Sequence, residues 1–517
     1  MQQKISHPIN DETLPSFVHP TLADVSKELQ VAADCWELLR DGKEEYLPKE
    51  VKEPPRAYKA RLMRASYASF YRDAIVSYAG ALSRFELRDP PELLKKYQSN
   101  IDADGNSLKA YGMICDARVL RDGGVLMTVD MPPDKAGNRT IERSTGRRPF
   151  LAQIERRNVV NWHPVKVAGR EIAAAVSILE WAEVRKGRYG VEFEPRYRLM
   201  AGGEWKVVKL VATEHGYQEV VATDDDGKPL EGEFTDADGK RMEFPPVVWY
   251  SSNRGGFGRG QLPLLSLANL SLDWFREYSD LKELLHKTAM PVPVRKGMLR
   301  SGPKGTTPPM ILGPNSGLDL PADGSFDFVE VSGSSLAQHV EHLKHIETLI
   351  DRQTLSFLFS GGDAEKTATQ SILESAQLQA SLASMAEGKS SAMESLFQVW
   401  GRFSGESVKD GSGIDLDSGV FDQPVTPEKL RMAKDLYNDN LLTRGSVVAL
   451  EAKAHFLPPD KTVEDEIKEL EDQEEEDLSV NGGPDVPGAN DLADGLQGLP
   501  GQAPPVPGKA KAFGGAR

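Results

Sequence analysis

The feature that most constrains this chain is a helical pattern of about 36 residues ending near Phe403, roughly three times the mean helix length of globular proteins. Its surface is crowded with small side chains: Ser371, Ser375, Ala376, Ala380, Ser381, Ala383, Ser384, Ala386, Ser390, Ser391 and Ala392. Small residues let a helix approach its neighbours closely, within one chain or between copies. What precedes it is equally patterned. From Pro263 to about Lys287, Leu264, Leu267, Leu270, Trp274, Tyr278, Leu281 and Leu285 recur every three or four residues and predict one long amphipathic helix. An insert follows with Val292-Pro293-Val294, Gly297, Gly302, Gly305, Pro308-Pro309 and Gly313-Pro314, a density of proline and glycine that forbids a helix and favours strands with turns. Strand-like Phe326 to Val331 leads to a helix at about Ser334–Ser356, and a glycine-bearing loop, Phe357–Thr367, opens onto the long helix.

Upstream, Pro54-Pro55 and helical spacing through Tyr58, Leu62, Ala65, Ser69, Arg72, Val76 and Ala79 predict one helix over 55–87. A helix at Leu108–Leu120 runs through Arg121-Asp122-Gly123-Gly124 into a strand at Val125–Val129. Between Phe150 and Val248, β-rich runs (Val159 to Trp162, Ala174 to Trp181, Tyr197 to Leu199, Val207 to Val211) alternate with turns such as Asp226-Gly227 and Asp238-Gly239 and predict an antiparallel sheet. Thr426-Pro427-Glu428 through Tyr437, and Ser446 to His455, predict a terminal helical pair, the first with a Thr cap and Pro in the first turn. No internal repeat stands out at 20–50 residue spacing.

The formal charge of -16 is uneven. Ten acidic residues and one lysine between Glu464 and Asp477 supply -9 of it. Beyond lies a stretch rich in Gly, Pro, Ala and Asp that buries too little surface to offset its ordering entropy, so 461–517 is expected to be a disordered, solvated tail or a docking strand for a partner. Acidic charge excludes a broadly basic nucleic-acid surface as the main theme. Two cysteines, Cys35 and Cys115, are too few for a disulfide framework or a Cys-based zinc site and fit a reducing cytoplasm. No run of about 18 apolar residues predicts a membrane span, and Met1–Leu14 lacks the basic-then-apolar order of an export signal.

Motifs of chemistry are tested in turn. Ser360-Gly361-Gly362-Asp363-Ala364-Glu365-Lys366-Thr367 comes nearest a phosphate-binding loop, but Ser360 and Glu365 stand where glycines are needed, and a carboxylate there repels phosphate. Gly256-x-Gly258-x-Gly260 lacks dinucleotide spacing and reads as a flexible lead into a helix; Arg254 and Arg259 flank it. His339, His342 and His345 lie at i, i+3 and i+6 of a helix with Glu341, Lys344 and Glu347 between, the pattern of a solvated face more than of a metal site. No nucleophile elbow or zinc-protease motif is present in the sequence, so neither catalytic residue, cofactor nor metal is assigned.

The order of these parts, an α+β region followed by helix, insert, helix, loop, very long helix and tail, resembles the portal proteins of tailed double-stranded DNA bacteriophages. The resemblance covers about 55–455. It is carried most by Val247-Val248-Trp249-Tyr250, by Pro263-Leu264-Leu265-Ser266-Leu267-Ala268-Asn269-Leu270, and by Tyr278-Ser279-Asp280 through Leu284-Leu285-His286-Lys287-Thr288-Ala289-Met290-Pro291-Val292-Pro293, with Tyr71–Leu82 and Asn161-Trp162 also similar. It implies an α+β portal-type fold. After an N-terminal segment (1–50) would come an α/β wing (51–262), to which a piece returns after the long helix. A two-helix stem (263–287 and 331–356) would frame a β-containing clip and return strand (288–330). A tunnel loop (357–367), a long kinked wing-to-crown helix (368–404) and crown helices (405–460) would follow.

It further implies a ring of twelve subunits at one capsid vertex, a virion component assembled in the host cytoplasm. Such a ring is the channel for genome packaging and ejection. Its partners would be the major capsid protein, scaffold, the terminase large subunit, neck or adaptor proteins and the double-stranded DNA in the channel. On that reading Phe357, Leu358, Phe359, Gly361, Gly362, Asp363, Glu365 and Lys366 face DNA, and Arg295, Lys296, Arg300 and Lys304 meet partners at the clip. Leu264, Leu267, Trp274, Tyr278 and Leu281 pack the stem. The competing readings are another capsid or scaffold-associated structural protein and, behind it, an enzyme acting on nucleic acid or nucleotides.

Overall fold

The computed structural model describes residues 11–131, 148–288, 292–296, 325–329, 334–354, 368–416, 427–438, 442–453, 456 and 461–480, apart from single positions 41, 168, 215, 225 and 254. The chain divides into two compact units, Met1–Asp422 and Gln423–Arg517. Both helices and antiparallel sheets build the first.

The predicted single helix over 55–87 is two helices, α4 (Pro55–Arg64) and α5 (Phe70–Leu82), followed by strand β1 (Phe85–Arg88). Periodicity continues across the break, but tertiary contacts end α4. Lys43 Nζ donates to the Ala65 carbonyl at 3.0 Å and Lys282 Nζ to that of Arg64 at 3.4 Å. These ammonium groups satisfy carbonyls that a continuing helix would have bonded itself. Arg61, in the last turn, is buried with a two-pronged bond to Glu53 at 3.0 and 2.9 Å.

Helix α7 (Leu108–Asp122) begins at Ser107, whose hydroxyl accepts from the Ala110 amide, and stops at Gly123 in the left-handed region (φ 78°). A Cβ on Gly123 would lie 2.5 Å from the Gln261 carbonyl oxygen, and one on Gly124 2.3 Å from the Trp249 ring. Only glycine allows the reversal at this packing distance. Strand β2 (Gly124–Asp130) then forms the centre of a three-stranded sheet between β10 (Val247–Ser251) and β3 (Phe150–Glu155).

The larger sheet takes the order β4 (Val159–Val167), β5 (Arg170–Lys186), β6 (Gly190–Ala201), β7 (Glu204–Thr213), β8 (Gly216–Val221), with β9 (Glu231–Glu233) also on β7. Two turns near β9 are copies of each other twelve residues apart, too short an interval to show as a fold-level repeat. In each an aspartate carboxylate, Asp224 or Asp236, accepts from the amides two and four residues on (Asp226 and Lys228; Asp238 and Lys240). Gly227 and Gly239 supply the positive φ.

The main core gathers helices α2 (Ser26–Trp36), α5 and α7 with the three-stranded sheet, helix α8 (Leu265–Thr288) and the long helix α10 (Ala368–Ser404). Over its C-terminal half α10 buries Leu382, Met385, Met393, Leu396, Phe397 and Trp400, with Ala386 and Ala392 among the buried small residues. After it, β13 (Gly413–Leu416) returns to pair with β1.

In the second unit, α11 (Pro427–Asn438) and α12 (Arg444–Lys453) are joined by the Lys434–Glu451 pair at 3.2 Å. The expectation of disordered chain from 461 onward is corrected over Val463–Val480, which forms helix α13. Thr462 caps it: its hydroxyl accepts from the Asp465 amide at 3.2 Å, while the Asp465 carboxylate accepts from the Thr462 amide. Glu464, Asp465 and Glu466 in the first turn favour the helix dipole. Ile467 lies against Gly445 of α12. A composition average over the whole tail hides this local cap. Residues 481–517 lie outside the described residues. Among the described residues, no helix is long and apolar enough to cross a membrane.

Candidate functional site

The part singled out by the sequence is the helix pair and what hangs from it. Helix α8 packs against α9 (Ser334–Gln353), and their contacts run in opposite directions. Ser266 Oγ bonds Gln353 Oε1 at 2.7 Å, Trp274 Nε1 donates to Glu347 Oε1 at 3.0 Å, and Glu277 faces His342 and His339. As residue numbers rise on one helix their partners fall on the other, so the pair is antiparallel.

Leu264, Leu267, Trp274 and Leu281 are buried and Tyr278 is half-buried. The Trp274 and Tyr278 rings stack at 4.5 Å, and Phe70 of α5 meets Trp274 edge-on at 5.2 Å. Leu343, Ile346 and Ile350 form the opposing ridge on α9.

The other flank of α8 is held by polar contacts from α4 and its surroundings. Arg64 pairs with Glu283, Arg61 reaches Asp280 at 3.5 Å, and Arg276 Nε donates to the Tyr46 carbonyl at 3.0 Å. Burial raises the Asp280 carboxyl pKa, while Arg61 opposes that shift.

Between the paired helices the chain makes an antiparallel hairpin, β11 (Val292–Lys296) with β12 (Ser325–Val329). Strand and turn were the expectation for this insert. Arg295 lies opposite Phe326 and Lys296 opposite Ser325. Arg300 and Lys304 lie outside the described residues, as do Phe357, Leu358, Phe359, Gly361, Gly362, Asp363, Glu365 and Lys366.

His339 Nδ1 and His342 Nε2 approach the two oxygens of Glu277 at 3.6 and 3.9 Å. These contacts bridge α8 and α9. Among the described residues no group of three His, Cys, Asp or Glu side chains is placed to hold a metal.

The glycine loop before α8 is the second correction. Rather than a flexible lead, it is a close-packed corner. A Cβ on Gly258 (φ +74°) would sit 2.1 Å from Trp162, one on Gly256 2.6 Å from the Glu171 carboxylate, and one on Gly260 1.9 Å from the Gly123 carbonyl oxygen. The Phe257 amide donates to Glu171 Oε1 at 2.8 Å, and the Trp249 indole to the Arg259 carbonyl at 2.8 Å. These glycines bring α8 against the end of α7.

Two buried charge clusters escape any reading of motifs. On α10, the Lys389 ammonium bonds Asp116 Oδ2 at 2.6 Å and the Leu82 carbonyl at 2.8 Å, and lies 4.6 Å over the Phe85 ring. Tyr250 donates to the other Asp116 oxygen at 3.0 Å. Complete burial pushes the Asp116 carboxyl upward, while the lysine and tyrosine pull it down. At the end of α7, Arg121 holds Asp122 and reaches Glu155 at 3.0 Å; Arg157 bonds Glu155 at 2.7 Å. Burial resists ionisation of Glu155, but Arg121, Arg157 and Arg118 outweigh it and hold its pKa at about 2. Residues 116, 250 and 389 lie far apart in sequence, so no spacing signal exists to find them.

A family described as a domain of unknown function (DUF4055) matches residues 263–404, from the first residues before α8 to the last of α10. No curated protein matches the chain. Among solved structures, a chain from the virion of a native gene transfer agent (GTA) particle is 12% identical, covering 83% of this chain and 99% of its own with a TM-score of 0.37. A chain from the neck of an empty GTA particle, computed with C6 symmetry, is 12% identical over 81% of this chain and 98% of its own, TM-score 0.35. One from the neck of a native GTA particle, computed with C12 symmetry, is 12% identical over 80% and 97%, TM-score 0.35.

Proposed function

We propose that this chain is a phage-type portal protein: a structural subunit, not an enzyme, that closes with its copies into a twelve-membered ring at one vertex of a capsid and conducts double-stranded DNA. The observation that carries the reading is the antiparallel pair α8 and α9, joined through the hairpin β11–β12 and followed by the 37-residue helix α10, whose second half is locked into the α+β core. A helix pair rooted in such a core is a rigid wall element. Its hairpin end is a natural docking point for terminase and neck proteins, and Arg295 and Lys296 on β11 offer that end positive charge.

Charge fits a conduit. Helices α8 and α9 carry seven carboxylates (Asp273, Glu277, Asp280, Glu283, Glu341, Glu347, Asp351) against five lysines and arginines. A small excess per subunit becomes a strong field when repeated around a ring. Repulsion of phosphate keeps DNA sliding, since tight counterion-releasing contacts would hold it. Phe357–Thr367 would be the loop facing DNA; a Gly361–Glu365 deletion should still assemble but package or retain less genome, and undiminished packaging would refute that role.

Native mass spectrometry and negative-stain imaging of the full chain test the reading. Closed rings of about twelve copies are expected by the resemblance to portal proteins. Extended or monomeric species at every salt and concentration would favour the alternative, another capsid or scaffold-associated structural protein.

A further inference from the structure

Pro15–His19 forms a strap laid over β4 and β5. Ser16 is wholly buried, and the Pro15 carbonyl accepts from Ser177 Oγ at 2.8 Å. Val18 packs on the small separate core of Val160, Leu179, Tyr197 and Val208, and the His19 amide donates to the Val160 carbonyl at 2.9 Å. A short helix, α1 (Pro20–Asp24), follows and buries Leu22. Within Leu14–Leu22, His19 is the one side chain that ionises near neutral pH.

Geometry holds His19 in one protonation state. Its ring caps α1: Nδ1 accepts from the Thr21 amide at 3.2 Å, so the neutral ring keeps its proton on Nε2. The imidazole stacks on Trp162, with ring centroids 3.9 Å apart and planes 14° from parallel. Trp162 is also the ring against which Gly258 packs in the corner before α8. A second proton would go to Nδ1 and turn the acceptor into a donor facing the Thr21 N–H. Among the described charged groups of α1, β4 and that corner (Asp24, His163, Lys166 and Arg259), Arg259 alone acts on the ring. Burial first, and the Arg259 guanidinium second, hold the His19 pKa below its ordinary 6.5. The indole face works the other way, since it attracts a cation. Against that single attraction stand the lost cap, the burial and Arg259.

We propose that His19 is a proton-responsive latch, which fastens α1 to β4 and to the corner before α8 while its ring is neutral and loosens that hold in acid. The sign follows from linkage. A histidine whose folded pKa is depressed contributes stability that is present above the unfolded value and lost as pH falls through the folded one. This does not depend on the proposed function.

Hydrogen exchange read by mass spectrometry on the full chain, corrected for the intrinsic pH dependence of amide exchange, measures the opening of residues 15–24. From about pH 7.5 to about pH 5 the open population should rise about fivefold in wild type, the effect of losing one helix cap. His19→Asn keeps a capping oxygen that does not titrate, so it should flatten that rise. Should the lost stacking leave the His19→Asn strap more open at every pH, a flat profile still assigns the response to His19, because the slope and not the level is the readout. Arg259→Gln removes the opposing charge and should move the midpoint of the rise to higher pH. A wild type with no rise, a rise of the same size in His19→Asn, or a midpoint that Arg259→Gln leaves in place or lowers would each overturn the proposal.

Discussion

Lys389, near the middle of the longest helix, places its ammonium 2.6 Å from the carboxylate of Asp116 in a site from which both are excluded from water. The pair ties α10 to α7, and through Tyr250 to β10. Removing one partner strands a buried charge, so Lys389→Met should cost about 3–5 kcal/mol. The double variant Asp116→Leu, Lys389→Met should recover most of it. Urea denaturation of the three proteins checks this; a double variant as weak as the single one would mean that shape, not charge, holds the joint.

Glu155 makes the acid limb of stability predictable. Its folded pKa, about 2, lies below the ordinary 4.5 because of Arg121, Arg157 and Arg118. A depressed carboxyl contributes stability that is present above the unfolded value and lost as pH falls through the folded one. The stability difference between wild type and Glu155→Gln should therefore shrink between about pH 4.5 and pH 2, by ~3 kcal/mol at most. Denaturation at a series of acid pH values measures it.

Two glycines with the same backbone conformation should respond differently to alanine. Gly239 (φ +80°) has open space where a Cβ would go, so Gly239→Ala should cost only the left-handed penalty, about 1–2 kcal/mol. Gly258 has Trp162 there, and neither the backbone nor the indole has room to yield. Gly258→Ala should cost clearly more, or abolish soluble expression. Thermal melts of the two variants decide whether the loop is packed or merely flexible.

Trp274 joins three elements: it stacks on Tyr278, meets Phe70 and donates to Glu347. Trp274→Ala should cost about 3–5 kcal/mol. Glu347→Ala, which removes only an exposed acceptor, should cost about 1 kcal/mol. If the pair forms a ring wall, the Trp274 variant should also lose ring particles at concentrations where the Glu347 variant keeps them, measured by native mass spectrometry.

Local chemistry was legible wherever neighbours in sequence suffice to decide structure. The period of α8, the helix from Leu108 that passes through Gly123-Gly124 into a strand, the Pro-and-Gly-rich turn to strands after α8, and the length of α10 all follow from spacing and from what proline and glycine permit. The burial of Leu267, Trp274 and Leu281 follows from the same spacing, which puts them on one face of α8. Tertiary structure decided the rest. The break after Arg64 depends on lysines at 43 and 282 reaching two carbonyls, and α13 depends on a cap and on Ile467 meeting Gly445. Likewise Asp116, Tyr250 and Lys389, and Glu155 with its arginines, are partners only because the fold brings distant segments together. Their cost without one another is set by burial, a quantity no spacing encodes.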